Sequence, residues 1–195
     1  MENGFFALMS RMRNILRWNL MRNTFEDNVQ GHSHMVAVLA HGLALIRRDI
    51  LGLEANPDRA AVVGLFHDAP EILTGDMPTP VKYFNPELMT AYKQVEKVSA
   101  EKLISLLPEQ LRQSYREIFI VMDEQTKQLV KAADKLSGYI KCVEELRAGN
   151  EEFKKAGEQI LHTLKNMNMP EVDYFLEHFM PAFKITLDEI SLGEN

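Results

Sequence analysis

The chain has 195 residues and a mass of 22.4 kDa, a size at which one domain buries a core without disulfides or a structural metal. Its 46% hydrophobic and 26% charged residues exclude a disordered, collagen-like or coiled-coil chain. The net charge of -6 gives no overall basic surface for a nucleic-acid polymer or anionic lipid.

Cysteine content and apolar stretches bear on the cellular compartment. The single cysteine, Cys142, excludes an intramolecular disulfide and a four-cysteine zinc site. The longest mostly apolar stretch, residues 35–46, contains His41 and is shorter than the roughly 18 residues of a membrane span. The apolar run at 5–9 is too short for a signal peptide and is followed by arginines. We therefore expect a cytoplasmic protein with no membrane partner.

Helix signals follow one another along the chain, and strand signals are almost absent. The pattern predicts helices at 5–14, at about 30–48, and from the Asn56 cap to about Leu73. The segment 74–80 is predicted as a rigid loop, because one glycine and two prolines in seven residues cannot continue a helix. Further helices are predicted at 85–107, from Pro108, at 123–146, at 150–165 and from Met169 to about Ile190. The sequence thus predicts one all-α domain over residues 1–195.

Histidines lie on the apolar faces of two of these predicted helices. At 100° per residue, His32 shares a face with apolar residues, whereas His34 and His41 point to the opposite side. On the next helix, His67 and Glu71 are expected one turn apart, as residues i and i+4 are. Titratable side chains that directly follow an apolar run need a partner or a metal if they are buried.

Two aspartates stand where a charge is unfavourable. Asp68 follows His67 after an apolar run, and Asp134 lies among small and apolar residues in the middle of a long predicted helix. Aspartate is a poor residue for a helix interior unless something recruits it. A His-Asp pair alone is a weak signal, and each residue alone is more often a core or surface group. Considered together with His32, these residues indicate a site.

The spacing of His32, His67-Asp68 and Asp134 resembles the metal signature of HD-domain phosphohydrolases. More narrowly, motifs along essentially the whole chain resemble the bacterial 5′-deoxynucleotidase family. These motifs are Arg17-Trp18, Asn28-Val29 before His32, His67-Asp68-Ala69 with Glu71, residues 74–82, Ala132-Ala133-Asp134, Lys141-Cys142, Glu144-Glu145 and residues 187–190. Gly31 departs from the family pattern, which has an acidic residue before the histidine, and this departure leaves the metal ligands intact.

The resemblance implies an HD-domain helical bundle with one divalent transition metal per subunit. Its implied ligands are His32, His67, Asp68 and Asp134. Two imidazoles and two carboxylates suit Mn, Fe, Co or Zn better than Mg, which prefers oxygen ligands alone. Cobalt and manganese are the metals we expect first, with iron, zinc and copper as alternatives.

The resemblance also implies roles for residues around the metal. Glu71 is the expected general acid or base, and Arg17 is expected to hold the phosphate with its planar guanidinium. In the family, the tryptophan matching Trp18 packs against the sugar and disfavours a ribose 2′-hydroxyl. The loop matching Asp76 to Thr79 grips the sugar and the rest of the substrate. The substrate-binding residues that the resemblance implies are Arg17, Trp18, Asp68, Asp76, Met77, Pro78, Thr79 and Asp134.

We therefore expect hydrolysis of deoxyribonucleoside 5′-monophosphates to deoxynucleoside and phosphate, with selection against ribonucleotides. The resemblance further implies a homodimer, with the apolar faces of the C-terminal helices as the expected interface. Two alternatives stay open. One is a related HD phosphohydrolase that acts on a deoxynucleoside triphosphate or another phosphoester. The other is a non-catalytic nucleotide-binding helical module, against which Glu71 and the complete set of ligands argue.

Overall fold

The computed structural model describes residues 3–82 and 84–190, without the side chain of Thr79. Within these residues the regular structure is helical, apart from one isolated antiparallel bridge between Leu16 and Asn28. The α-helices are α1 (Phe5–Met9), α2 (Val29–Leu45), α3 (Pro57–Phe66), α4 (Glu71–Thr74), α5 (Thr79–Lys82), α6 (Pro86–Ser105), α7 (Glu109–Phe119), α8 (Glu124–Arg147), α9 (Lys154–Lys165) and α10 (Pro170–His178). In this described part of the chain, no helix combines the length and apolarity needed to cross a membrane.

Polar side chains cap the N-termini of the longer helices. Oδ1 of Asn56 accepts a hydrogen bond from the Arg59 backbone N–H, and Pro57 occupies the first turn of α3, as predicted. Asn85 and Pro86 begin α6 in the same way. Asn28 likewise caps α2. Asparagine followed by proline is thus a reliable start signal in this chain.

Two predicted helices end earlier in the structure than the sequence pattern indicates. The helix expected to reach Leu73 stops at Phe66, and residues 67–70 form turns before α4. Pro70 cannot donate a backbone hydrogen bond, so it cannot continue α3. The last helix was expected to reach Ile190 but ends at His178. Short 3₁₀ turns replace it at Met180–Lys184 and Leu187–Glu189, where Pro181 likewise has no N–H to donate.

Close packing of α2, α3 and α8 forms the main core. Its fully buried members include Val36 and Leu43 on α2 and Leu136 on α8. Gly64 allows α3 to approach α2 very closely, because a Cβ at this position would lie 2.9 Å from the Ala37 Cα. The last turns of α3 thus lie against the middle of α2, and α8 packs against both helices.

Candidate metal centre and substrate cavity

Three of the four side chains expected to bind a metal, those of His32, His67 and Asp68, bring ligand atoms within 4.8 Å of one another where α2 and the end of α3 meet. Asp134 on α8 lies outside this group of three and approaches it through His32. Nε2 of His32 lies 3.2 Å from Oδ1 of Asp134 and 3.4 Å from Oδ2 of Asp68. Nε2 of His67 lies 3.1 Å from the same Asp68 oxygen. Metal–ligand bonds of about 2.0–2.2 Å place neighbouring ligand atoms about 3 Å apart. The spacing of the His32, His67 and Asp68 atoms therefore fits one cation.

The two histidines present their Nε2 atoms to this common point. Both Nε2 atoms are buried, and the described residues supply neither with a partner in hydrogen-bond geometry. The other ring nitrogens are held, with Nδ1 of His32 lying 3.0 Å from Oγ of Ser137 and Nδ1 of His67 lying 2.8 Å from the Gly64 carbonyl oxygen. A histidine that donates through Nδ1 leaves the Nε2 lone pair free for a metal. Burial also lowers the pKa of His32, which favours the neutral ring. These residues fit a divalent metal.

Asp134 reaches the cluster from the middle of α8. One carboxylate oxygen faces His32, and the other accepts a hydrogen bond of 3.1 Å from Nζ of Lys135. The helix-interior aspartate therefore has one oxygen paired with Lys135 and the other close to a buried histidine, and these neighbours account for a residue type that helix interiors disfavour.

Arg17 lies at the edge of the cluster. Its Nη1 donates to Oδ2 of Asp68 at 3.2 Å, and its Nε lies 3.3 Å from Oδ2 of Asp27. The backbone N–H of Arg17 also donates to the Asp27 carbonyl oxygen at 2.9 Å. With its side chain only 13% exposed, Arg17 has little freedom to leave the site. It therefore presents a fixed cation beside the proposed metal ligands.

Glu71 lies close to the cluster, but a continuous helix does not carry it there. Its backbone N–H donates to the Asp68 carbonyl oxygen at 3.0 Å in the turn that separates α3 from α4. The expected helical-turn relation between His67 and Glu71 is therefore wrong. Oε2 of Glu71 is buried and finds no hydrogen-bond partner in residues 3–82 or 84–190. Burial, followed by repulsion from Asp68 and then Asp76, raises the pKa of Glu71 to about 9.

A cavity of about 400 Å³ opens beside Asp134. Its walls come from the segment after Arg17, from the loop before α5, and from α8 and α9. The residues that line it are Arg17, Trp18, Leu20, Met21, Asp76, Met77, Pro78, Pro80, Asp134, Lys135, Gly138, Ala156, Gln159, Ile160 and Thr163. Among the residues expected to bind substrate, Asp76, Met77 and Pro78 thus line one cavity with Arg17 and Trp18. The side chain of Thr79 lies outside the described residues.

Trp18 forms an apolar wall of this cavity. Its ring centroid lies 5.3 Å from that of the fully buried Phe153. A Cβ on Gly138 would lie only 3.8 Å from the Trp18 ring. The backbone of Trp18 has a φ of 58°, a left-handed conformation that a bulky residue adopts only when its surroundings impose it.

Sequence reasoning missed several residues that shape the site. Ser137 lies three residues after Asp134 on α8, so helical periodicity offered a signal for it. Asp27 supports Arg17 across a loop, and the α9 residues Gln159 and Thr163 join the cavity wall from a distant part of the chain. Nothing in the local sequence marks these three positions.

Comparison with known proteins agrees with this geometry. The model of the family described as 5′-deoxynucleotidase YfbR-like matches residues 4–183. The chain is 47% identical over 192 residues to the 5′-deoxynucleotidase VV1113 of Vibrio vulnificus (strain YJ016), covering 97% of this chain and 99% of that protein. It is 45% identical over 192 residues to the 5′-deoxynucleotidase YfbR of Shigella boydii, covering 97% and 96% of the two chains.

Solved structures share the fold. The HD-domain phosphohydrolase lin2634 from Listeria innocua superposes with a TM-score of 0.80 at 26% identity, over 92% of this chain and 87% of that one. The HD phosphohydrolase DatZ of cyanophage S-2L, bound to dA and one catalytic Zn²⁺, has a TM-score of 0.65 at 21% identity, over 92% and 96% of the two chains. The second likeness concerns the fold alone.

Proposed function

Because the chain belongs to the 5′-deoxynucleotidase YfbR-like family, we propose that it hydrolyses deoxyribonucleoside 5′-monophosphates to deoxynucleoside and phosphate and disfavours ribonucleotides. The observation that carries this proposal is the pair of buried Nε2 atoms of His32 and His67, which face carboxylates of Asp68 and Asp134 beside the cavity. Arg17 links the cluster to the cavity, since it contacts Asp68 and also lines the cavity wall.

His32, His67, Asp68 and Asp134 are the proposed ligands of one divalent transition metal. The mixed nitrogen and oxygen donors favour Mn, Fe, Co, Zn or Cu over Mg. When bound, such a cation supplies Lewis-acid activation of the phosphate and of an attacking water molecule. Elemental analysis of the purified protein tests this proposed metal site. We expect about one transition-metal ion per chain, and an active enzyme without metal would contradict the proposal.

Arg17 is the proposed phosphate-orienting residue. Its guanidinium is held by Asp27 and Asp68 while it lines the cavity. A planar guanidinium binds a phosphate through two parallel hydrogen bonds, a geometry that the ammonium group of lysine does not provide. Glu71 is the proposed general acid or base, because it is a buried carboxyl group beside Asp68.

Trp18 and the loop that carries Asp76 to Thr79 are proposed to select deoxyribose. The apolar face of an indole ring offers a 2′-hydroxyl no hydrogen-bond partner, so a ribonucleotide whose 2′-hydroxyl meets that face loses solvation of the group on binding. Asp76, Met77 and Pro78 line the same cavity, and proline limits the loop to few conformations.

A substrate panel tests the proposal. We expect turnover of dAMP with Mn²⁺ or Co²⁺, much weaker turnover of AMP, and no preference for dATP. Replacing Trp18 by Ala is expected to narrow the ratio of kcat/KM for dAMP to that for AMP. Equal turnover of dAMP and AMP by the natural protein would contradict the sugar selectivity. Preferential turnover of dATP would favour the alternative triphosphohydrolase.

We also propose that the chain forms a homodimer through its C-terminal segments. The support is the exposure of large apolar side chains there, with Phe179 at 45% and Leu187 at 73%. Sedimentation of the purified protein at micromolar concentration is expected to give twice the mass of one chain, and a monomer would contradict this proposal.

A further inference from the structure

The segment from Trp18 to Phe25 connects the cavity wall to a buried ion pair near the C-terminal end of α8. Glu145 has a fully buried side chain, and its Oε1 accepts a hydrogen bond of 2.5 Å from Nζ of Lys141, one turn earlier on the helix. Asp134, Gly138, Lys141 and Glu145 recur at intervals of three to four residues, so they form one stripe along α8. Glu145 lies about 16 Å along the helix axis from Asp134, so it cannot touch a phosphate held there.

Glu145 binds the tip of this segment with several hydrogen bonds. The backbone N–H of Thr24 donates to both carboxylate oxygens at 3.1 Å, and the Thr24 hydroxyl donates to Oε2 at 2.7 Å. Nδ2 of Asn150 donates to Oε2 at 2.9 Å and also to the Arg22 carbonyl oxygen at 2.6 Å. Lys141 adds a hydrogen bond of 2.8 Å to the Phe25 carbonyl oxygen. The ion pair therefore holds two backbone positions of the segment, Thr24 and Phe25, and Asn150 holds a third at Arg22.

The segment transmits this attachment to Trp18 over a short distance. The Trp18 carbonyl oxygen accepts from the Met21 backbone N–H at 2.9 Å and from Nδ2 of Asn23 at 3.3 Å. Asn23 directly precedes Thr24, which Glu145 holds. These contacts enclose Trp18 in a tight turn and impose its left-handed backbone, with a φ of 58°. A left-handed backbone at a bulky residue persists only where neighbouring contacts enforce it.

We propose that Glu145 is a positioning residue: through Thr24 and Asn23 it holds the Trp18 ring against Gly138 and Phe153, and so sets the width of the cavity where the sugar binds. The role in sugar selection rests on the proposed function, whereas the position of Trp18 does not. Release of the segment allows the Trp18 backbone to relax to negative φ, which moves the indole away from α8. The indole ring that disfavours a 2′-hydroxyl is then no longer held in one position at the cavity wall.

Trp18 is the only tryptophan in the chain, so intrinsic fluorescence excited at 295 nm reports on this one side chain. Two variants release the segment: Glu145→Gln, which removes the charge at constant shape, and Thr24→Val, which removes one hydroxyl from an exposed position. Glu171→Gln is the matched control, because Glu171 is also fully buried and paired, with Arg47 at 3.1 Å, but joins α10 to the segment after α2. Each variant is first checked for helical content and cooperative unfolding.

We expect both releasing variants to shift the Trp18 emission and to increase its quenching by acrylamide, while the control leaves both properties unchanged. The ratio of kcat/KM for dAMP to that for AMP is expected to fall about two- to ten-fold, the effect of one net hydrogen bond, with a smaller change in kcat for dAMP. Should Glu145→Gln fail to fold, Thr24→Val carries the same test.

Unchanged emission and quenching in the folded variants would overturn the inference, as would an equal change in Glu171→Gln. A change in emission without a change in the dAMP-to-AMP ratio would overturn the role of Glu145 in selectivity. The Trp18→Ala variant then locates the failure: if it also keeps the natural ratio, the error lies in the sugar contact of Trp18 and therefore in the proposed function.

Discussion

Two clusters of buried polar groups lie on the same face of α8, and they differ in how their hydrogen bonds are satisfied. At Glu145, donors from Thr24, Lys141 and Asn150 occupy both carboxylate oxygens. Around Asp134, the Nε2 atoms of His32 and His67 are buried without a hydrogen-bond partner in the described part of the chain. Protein folding rarely leaves such groups unsatisfied, because each costs about 1–3 kcal/mol.

The difference separates a cluster whose polar groups are satisfied within the protein from one that we propose to bind a ligand. Every hydrogen bond of the Glu145 carboxylate described here is made within the protein. These bonds therefore contribute to the stability of the folded state. In our proposal, a bound cation supplies the missing partners of the cluster at Asp134. Removal of a residue from the first cluster should therefore lower stability most, whereas removal from the second should lower activity most.

Replacing His67 by Ala is the strongest test of this difference between the two clusters. The variant loses a proposed metal ligand, so we expect activity on dAMP to fall on the order of 10⁴-fold or more, together with the metal content of the purified protein. The melting temperature of the metal-free protein should change little. Elemental analysis, turnover and thermal unfolding check the three expectations, and full metal content in an inactive variant would remove His67 from the ligand set.

Replacing Glu71 by Ala should slow the reaction and leave the metal in place. A general acid or base contributes about 10²- to 10⁴-fold in rate, so we expect kcat to fall within that range while KM for dAMP stays near its natural value. Metal analysis of the same sample is the control. Loss of the metal from this variant would mean that Glu71 is a ligand.

Replacing Ser137 by Ala tests the support behind His32. Oγ of Ser137 lies 3.0 Å from Nδ1 of His32, and loss of such a contact typically weakens metal binding about 10- to 100-fold. Titration of the metal-free protein with Mn²⁺ or Co²⁺ measures this change. Ser99→Ala is the matched control, since Ser99 is a buried serine on α6. Equal metal affinity in both variants would mean that Ser137 contributes to packing but does not support metal binding by His32.

The smallest expected effect is the pH dependence of stability at Glu145. Burial alone would raise the pKa of Glu145, but its hydrogen bonds with Lys141, Thr24 and Asn150 outweigh burial and lower the pKa from 4.5 to about 2. The stability that this group contributes is therefore present above about pH 4.5 and is lost as the pH falls through about 2.

Urea unfolding between pH 6 and pH 2.5 measures this dependence. The natural protein should lose more free energy of unfolding over that interval than Glu145→Gln, whose side chain does not titrate. Equal losses in the two proteins would mean that Glu145 is not held as an ion in the folded state.

How much of the site the sequence predicts depends on how far apart along the chain the contacting residues lie. His32 and Asp68 belong to motifs that the resemblance identified, and the apolar face around His32 was visible from helical periodicity. Local chemistry also predicted the Asn56 and Asn85 caps. The break before Glu71 was missed even though Pro70 signals it, because the apolar pattern on both sides of the proline continues with helical spacing.

The sequence by itself determined the helical class, the asparagine-capped starts of α3 and α6 and the family, since all three depend on residue types within a few positions or on motifs in fixed order. Only the tertiary structure decided that Glu145 binds Thr24, 121 residues away, and that Gln159 joins the cavity wall beside Trp18. Contacts of this kind depend on how whole helices pack, and packing is specified by the complete core rather than by any one segment.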